Sequence, residues 1–273
     1  MRKSFAVETI IGLVAGFILF ITAIVTTTDN YLMFLNFPSF LMVVGGTLAA
    51  TMISFRGQYV IQAFRELLGI FIPMDIDQKS MQRQVESIMN WARILKQKGI
   101  LGLQEEINQS YIKDPFLRYA GELLLTGYRG DELRKMLANY TETSYERNMI
   151  QSYILRTMGG FAPGFGMLGT VIGLIIMLDK LGNNPAELGR GLAFALITTL
   201  YGVLLAQFIL KPASEKVRQK QEILRLRNLL VTEGFVLLSE NKDTMLIQDM
   251  LNSFLEPEHH FSVLKKENVE EHE

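Results

Sequence analysis

The sequence predicts an all-α integral membrane protein with four transmembrane helices, a helical cytoplasmic domain between helices 2 and 3, and a cytoplasmic C-terminal helical tail. Two observations carry this reading. The first is a set of runs without Asp, Glu, Lys or Arg: Thr9 to Thr28 (20 residues), Asn30 to Phe55 (26), Thr157 to Leu178 (22) and Gly191 to Leu210 (20). Each suffices for a helix rising about 1.5 Å per residue to cross a hydrocarbon core about 30 Å thick. The second is sidedness. With the N-terminus inside, the outer loops hold only Lys180 and Arg190 of the 27 Lys and Arg, while Arg2, Lys3, Arg56, Arg156, Lys211 and Lys216 flank the spans on the inner side. Basic residues concentrate on the cytoplasmic side of membrane proteins, so both termini are placed there.

Composition narrows the chemistry. Hydrophobic residues make up 49% of the chain, the net charge is -1, and there are no cysteines. A nucleic-acid surface, a disulfide framework and thiol catalysis are therefore not expected. The three histidines all lie in the tail; His259 and His260 are adjacent and cannot share the helix face of an i, i+4 metal pair, and His272 sits in an acidic terminus. No phosphate-cradling glycine motif follows a strand, and no nucleophile, base and orienting group form a set, so no enzyme is expected. The first span is too long for the apolar core of a signal peptide, and no small-x-small cleavage site follows it.

The elements follow in order. Residues 1–55 form the first membrane hairpin and 151–212 the second. The intervening 56–150 reads as helical: Val85, Ile88, Met89, Ala92 and Leu95 repeat at the helical period, and Gly99 suits a stop. A further amphipathic helix starts near Pro115, and another after Gly130, with Asp131 and Glu132 in its first turn. Residues 213–273 begin with alternating charges from Glu215 to Arg227, the pattern of a membrane helix continuing into water, and end in an acidic tail.

In the third span Gly159, Ala162, Gly166, Gly169 and Gly173 recur every three or four residues; in the fourth, Gly191, Ala195, Thr198, Gly202 and Ala206 do the same. Two smooth faces imply close packing, with each other or with a partner helix. Thr170, Thr198 and Thr199 lie on or beside these faces. A threonine there either bonds back to its own helix or offers an oxygen to a dehydrated cation, so Thr170, Thr198 and Thr199 are candidate ion-path residues. Asn36, at the outer end of the second span, reads as a helix cap before Pro38. Pro163 and Pro212 lie near the inner ends of spans 3 and 4, where each is either a kink and hinge or a helix boundary. None of the four runs contains an acid, a base or a histidine. An ion crossing a bilayer normally needs an intramembrane charged group, so a conducting role requires a carboxylate from another protein.

Phe161-Ala-Pro-Gly-Phe-Gly-Met-Leu-Gly-Thr-Val-Ile-Gly-Leu174, followed by Ala195-Leu-Ile-Thr-Thr-Leu-Tyr-Gly202, resembles the paired signature of MotA/PomA flagellar stator subunits, relatives of ExbB and TolQ. Gly45-Gly46, Lys96-Gln-Lys-Gly-Ile-Leu-Gly-Leu103, Lys113-Asp-Pro-Phe-Leu117, Glu146-Arg147 and Glu233-Gly234 fall in the same order. The resemblance implies a pentamer in the bacterial inner membrane, around a dimer of a MotB/PomB-like partner whose transmembrane aspartate carries the ion. It also implies charged cytoplasmic residues that push on the rotor protein FliG. Lys96 stands where the family usually has arginine, and Gln104 where it commonly has glutamate, with Glu105 beside it. A rotor contact is therefore expected from Lys96, Glu105, Arg93, Lys98 and Glu146. Thr170 with Thr198-Thr199 resembles the sodium-driven type, so sodium rather than a proton is the expected ion, with Thr170 and Thr199 as its transient ligands; Asn36 aligns with an Asp or Asn of relatives, which implies a place near the ion entry. The alternatives are a proton-driven stator, an ExbB/TolQ-like energiser of a trans-envelope process, and a membrane scaffold.

Overall fold

The computed structural model describes residues 7–72, 78–109, 114–179 and 185–261. Arg2, Lys3, Lys113, Lys180 and the acidic tail with His272 lie outside these ranges. The chain divides into two compact units, residues 1–73 with 148–219 and residues 74–147 with 220–273.

In the first unit, α1 (Val7–Thr27) is the first span, followed by a 3-10 turn (Tyr31–Phe34). The second span starts as α2 (Phe37–Phe40), widens into a π-helical segment (Leu41–Gly45) and continues as α3 (Gly46–Ser54). Its uniform apolarity concealed both the 3-10 turn and the widening. The buried hydroxyls of Thr47 and Thr51 bond back to the carbonyls of Val43 (2.6 Å) and Thr47 (2.7 Å), so these two polar groups are satisfied within span 2 itself. An amphipathic helix, α4 (Gly57–Gly69), follows and buries Val60 and Ala63. The expected domain boundary at residue 56 precedes α4, which belongs to the same compact unit as the spans.

In the second unit, α5 (Gln78–Gln109) is broken at Gly99, whose φ of 69° lies in the left-handed region. Glycine takes that conformation without steric cost, which is why the expected stop falls there. The expected stripe is in the core: Val85, Ile88, Met89 and Ala92 are buried, and Leu95 is partly buried. Next comes α6 (Pro115–Leu125), whose N-cap Asp114 accepts hydrogen bonds from the amides of Phe116 (2.9 Å) and Leu117 (3.0 Å). Proline at the first helical position has no amide to leave unsatisfied.

The long helix α7 (Gly130–Asp179) contributes to both units and contains the third span. The fourth span comprises α8 (Pro185–Leu204), a second π-helical segment (Leu205–Leu210) and the start of α9 (Lys211–Ser239), which continues into the second unit. There, α10 (Thr244–Asn252) completes the core. Phe235 of α9 meets Trp91 edge-on at 5.6 Å, and Ile88 lies against Gly234, where a Cβ would come within 2.7 Å. The segment after α10 is pinned by Asn252, whose side chain exchanges two hydrogen bonds of 2.8 Å with the backbone of Phe261.

Buried charge is also partnered in this unit. Arg227 has a side chain only 7% exposed and meets Asp114 at 2.7 Å, so one carboxylate both caps α6 and neutralises a buried guanidinium. Removing Asp114 strands that guanidinium, whereas removing Arg227 leaves a carboxylate that water reaches. Asp114→Ala is therefore expected to lower stability by about 3 kcal/mol, plus about 1 for the lost cap. Arg227→Ala should cost less; thermal unfolding of the solubilised protein ranks the two. Arg134 donates to both oxygens of Glu233, and these hydrogen bonds raise the guanidinium pKa.

Candidate functional site

Spans 3 and 4 pack on each other through their small residues, which resolves the choice the sequence left open. A Cβ at Gly173 would sit 2.6 Å from the carbonyl oxygen of Gly191, one at Gly191 would sit 2.9 Å from that of Gly173, and one at Gly202 would sit 2.6 Å from that of Ala162. Backbone approach this close is open only to glycine. At the inner end, Ser152 of α7 and Ser214 of α9 each donate to the other's carbonyl at 2.9 Å.

This approach brings oxygens together. Thr170 Oγ1 of span 3 and Thr199 Oγ1 of span 4 are 2.5 Å apart. Thr170 also donates to the carbonyls of Ala195 (3.1 Å) and Gly166 (3.2 Å), and Thr199 reaches the same two at 3.5 and 3.3 Å. Two hydroxyls and two carbonyls, half from each helix, thus form one cluster of neutral oxygens. Such a set suits a hard monovalent cation, because oxygen dipoles replace its water without a fixed charge. The hydroxyls hydrogen-bond to one another and to the carbonyls.

Thr198 is placed differently. It is fully buried against Gly169, and its hydroxyl serves the carbonyls of Phe194 (3.0 Å) and Ala195 (2.9 Å). It shares Ala195 with the cluster without joining the hydroxyl pair. Asn36 lies outside the cluster and acts as the N-cap of α2, its side chain accepting from the Ser39 amide at 3.0 Å. Its own amide donates to the Tyr201 hydroxyl at 3.1 Å, while that hydroxyl donates to the carbonyl of Phe34. Tyr201 therefore ties the loop before span 2 to span 4. It was legible only as a letter of the motif, because nothing local to residue 201 indicates a partner 165 positions away.

Neither proline ends the helical path. Pro163 is interior to α7, and Pro212 follows directly on the π-helical segment of span 4. Proline lacks an amide, so Pro212 cannot bond the carbonyls of Phe208 and Gln207, four and five residues earlier. The last π-type bond, from the Lys211 amide to Ala206, is formed immediately before it. A widened turn beside a proline is a mechanically soft point in a helix.

The charged candidates lie in the second unit. Lys98, Glu105 and Glu146 are exposed and make no ion pair among the described residues. Arg93 lines a polar cleft with Arg83, Glu86 and Asn90. Lys96 is paired with Asp243, the N-cap of α10, at 3.0 Å. The Lys96 hydrogen bond, and then that from the Met245 amide, hold the Asp243 carboxyl below its ordinary pKa. A lowered carboxylate pKa stabilises the fold above the ordinary carboxylate range, and that contribution is lost as pH falls through the lowered value. Both side chains are largely exposed, so the contribution is small. The melting difference between wild type and Asp243→Asn should be present at neutral pH and close in acid.

Four membrane-length helices, with a hydroxyl and carbonyl cluster packed between the third and fourth, define a multi-pass membrane protein. Residues 108–228 match the MotA/TolQ/ExbB proton channel family. The chain is 30% identical to Motility protein A of Aquifex aeolicus, covering 89% of this chain and 93% of that one. It is 31% identical to the YtxD protein of Bacillus subtilis, covering 92% and 91%. Its fold superposes on a solved C. jejuni MotAB structure with a TM-score of 0.85 at 23% identity, covering 94% of this chain and 99% of that one. The chain belongs to the MotA/TolQ/ExbB family.

Proposed function

We propose that this chain is the ion-path subunit of a flagellar stator in the bacterial inner membrane, with both termini cytoplasmic. In this reading five copies surround a dimer of a MotB/PomB-like partner, whose intramembrane carboxylate supplies the charge the four spans lack. Sodium, rather than a proton, passes the oxygens of Thr170 and Thr199. Residues 56–150 face the rotor, and Lys96, Lys98, Glu105, Arg93 and Glu146 press on FliG. The pairing of Thr170 with Thr199 across two helices carries the choice of ion, because a proton needs one acceptor whereas sodium needs several oxygens to replace its hydration shell.

The assembly is supported by surface chemistry. Met167, Leu168, Val171, Ile175 and Leu178 on span 3 are exposed in the single chain, an apolar face that must be covered by lipid or by other helices. In operation, a sodium ion carried by the partner's carboxylate would exchange water for the two hydroxyls and the carbonyls of Gly166 and Ala195. The Thr170 and Thr199 hydroxyls would turn their lone pairs from each other toward the ion. Pro163 and the soft turn before Pro212 would let spans 3 and 4 bend as the ion passes.

The test is complementation. In a strain lacking its stator, this chain with its cognate partner is expected to restore swimming. The same pair with the partner's intramembrane aspartate changed to asparagine is expected to insert but not rotate. Membrane insertion of the unaltered pair without rotation would overturn the flagellar reading.

A further inference from the structure

The first unit holds a cavity of about 490 Å³ that the ion path does not use, bounded by span 1, α4 and the inner end of span 4. Its size lies within the range of small-molecule pockets, and its polarity is ordered. At the deep end Gly12 and Leu13 of span 1 face Gln207, Phe208 and Ile209 of span 4, and Leu67 and Leu68 of α4, with Phe71 just beyond it, form an apolar side wall. At the other end stand Glu8, Thr9, Glu215, Lys216 and Gln219. Gln207 and Gln219 are both in the lining; they are twelve residues apart, so the cavity extends about 18 Å along the helix at 1.5 Å per residue. A cleft that is apolar apart from Gln207 toward the bilayer interior and charged toward its inner surface has the shape and polarity of an amphiphile.

The mouth specifies the headgroup. Glu215 is occupied by Arg218 at 2.8 Å. Lys216 and Glu8 make no ion pair among the described residues, with each other or with anything else, so one cation and one anion are free at the same opening. Thr9 Oγ1, on the wall beside Glu8, is shielded from solvent and has no hydrogen-bond partner among the described residues. We infer that the cavity binds one acyl chain of a phospholipid that carries both a phosphate and a primary ammonium. Lys216 holds the phosphate, Glu8 accepts the ammonium, and the Thr9 hydroxyl donates to a phosphate or ester oxygen. A quaternary ammonium lacks the N–H groups Glu8 requires, and an anionic glycerol headgroup leaves Glu8 unmatched. The acyl chain also covers the π-helical segment next to Pro212, where the helix lacks a backbone bond. This inference stands whichever ion the protein conducts.

The test uses the full chain in its native complex, exchanged into nanodiscs containing equal phosphatidylethanolamine, phosphatidylcholine and phosphatidylglycerol, with retained lipid counted by native mass spectrometry. Phosphatidylethanolamine is expected to be retained roughly tenfold over phosphatidylcholine, the size of one charge-assisted hydrogen bond. Glu8→Gln should bring that ratio to about one, and Lys216→Gln should weaken retention of both. A Cβ at Gly12 meets nothing within 4 Å, so Gly12→Leu fills the cavity without a backbone clash and should strip the lipid from an intact assembly. Should that variant fail to assemble, Glu8→Gln decides alone. Equal retention of the three lipids by wild type, preference for phosphatidylglycerol, unchanged retention in Glu8→Gln, or another copy of this chain seated in the cavity would each overturn the inference.

Discussion

Gly173→Ala is expected to abolish rotation while leaving the chain in the membrane. The added methyl would lie 2.6 Å from the Gly191 carbonyl oxygen and 2.8 Å from the Ala195 amide, and both are backbone atoms of a packed helix. No side-chain rotation relieves such a contact, so spans 3 and 4 must separate. Overpacking of this kind costs about 1–3 kcal/mol. The functional loss is larger than that figure suggests, because Thr170 lies one turn away and its 2.5 Å contact with Thr199 depends on the same approach. Gly202→Ala, facing the Ala162 carbonyl at 2.6 Å, should behave alike. Gly160 and Gly164 are the controls: a Cβ at either meets nothing within 4 Å, so their alanine variants should swim near normally. Membrane abundance and swimming speed, measured together for all four, separate a packing defect from a failure to insert.

Thr199→Ala is expected to raise the sodium concentration for half-maximal speed by at least tenfold, with a smaller change in maximal speed. Loss of one neutral oxygen ligand removes part of the shell that replaces hydration water, and the remaining hydroxyl of Thr170 is left with carbonyl partners only. Thr199→Ser keeps the oxygen and should keep the sodium dependence. Thr198→Ala is the informative contrast. That hydroxyl is committed to the carbonyls of Phe194 and Ala195. Its removal should lower abundance through lost packing against Gly169 and leave the half-saturating sodium concentration nearly unchanged. Equal shifts in all three variants would mean that the hydroxyl pair is not the ion site.

Much of the fold was legible because a bilayer imposes a simple code. Charge-free runs of span length, basic residues on one side, and small residues at intervals of three and four located the helices and the packed faces. The stripe from Val85 to Ala92 and the helix starts near Pro115 and after Gly130 were equally readable, because each is a local rule met by neighbouring residues. The unreadable features depend on distant partners or on departures from the helical period. The π-helical segments at Leu41–Gly45 and Leu205–Leu210 insert no recognisable residue into an apolar run. The Tyr201 bridge, the Arg227 pair with Asp114 and the pairing of Ser152 with Ser214 each join residues far apart in the chain. At the candidate site the sequence named three threonines and the resemblance singled out Thr170 and Thr199, but nothing local showed how Thr198 and Thr199 differ. Adjacent residues on a helix point about 100° apart, and only the position of Gly169 and Gly166 on the facing helix decides that Thr198 packs while Thr199 meets Thr170.

The hydroxyl pair between spans 3 and 4 is proposed to make this a sodium-driven stator. The most direct test is single-motor speed in cells that depend on this chain and its partner, with external sodium titrated at constant pH and constant proton-motive force. A saturable rise in speed with sodium, shifted to higher concentration by Thr199→Ala, is the expected result. Rotation at full speed with sodium withdrawn would contradict it, leaving the helix packing intact and assigning the two threonines to structure alone.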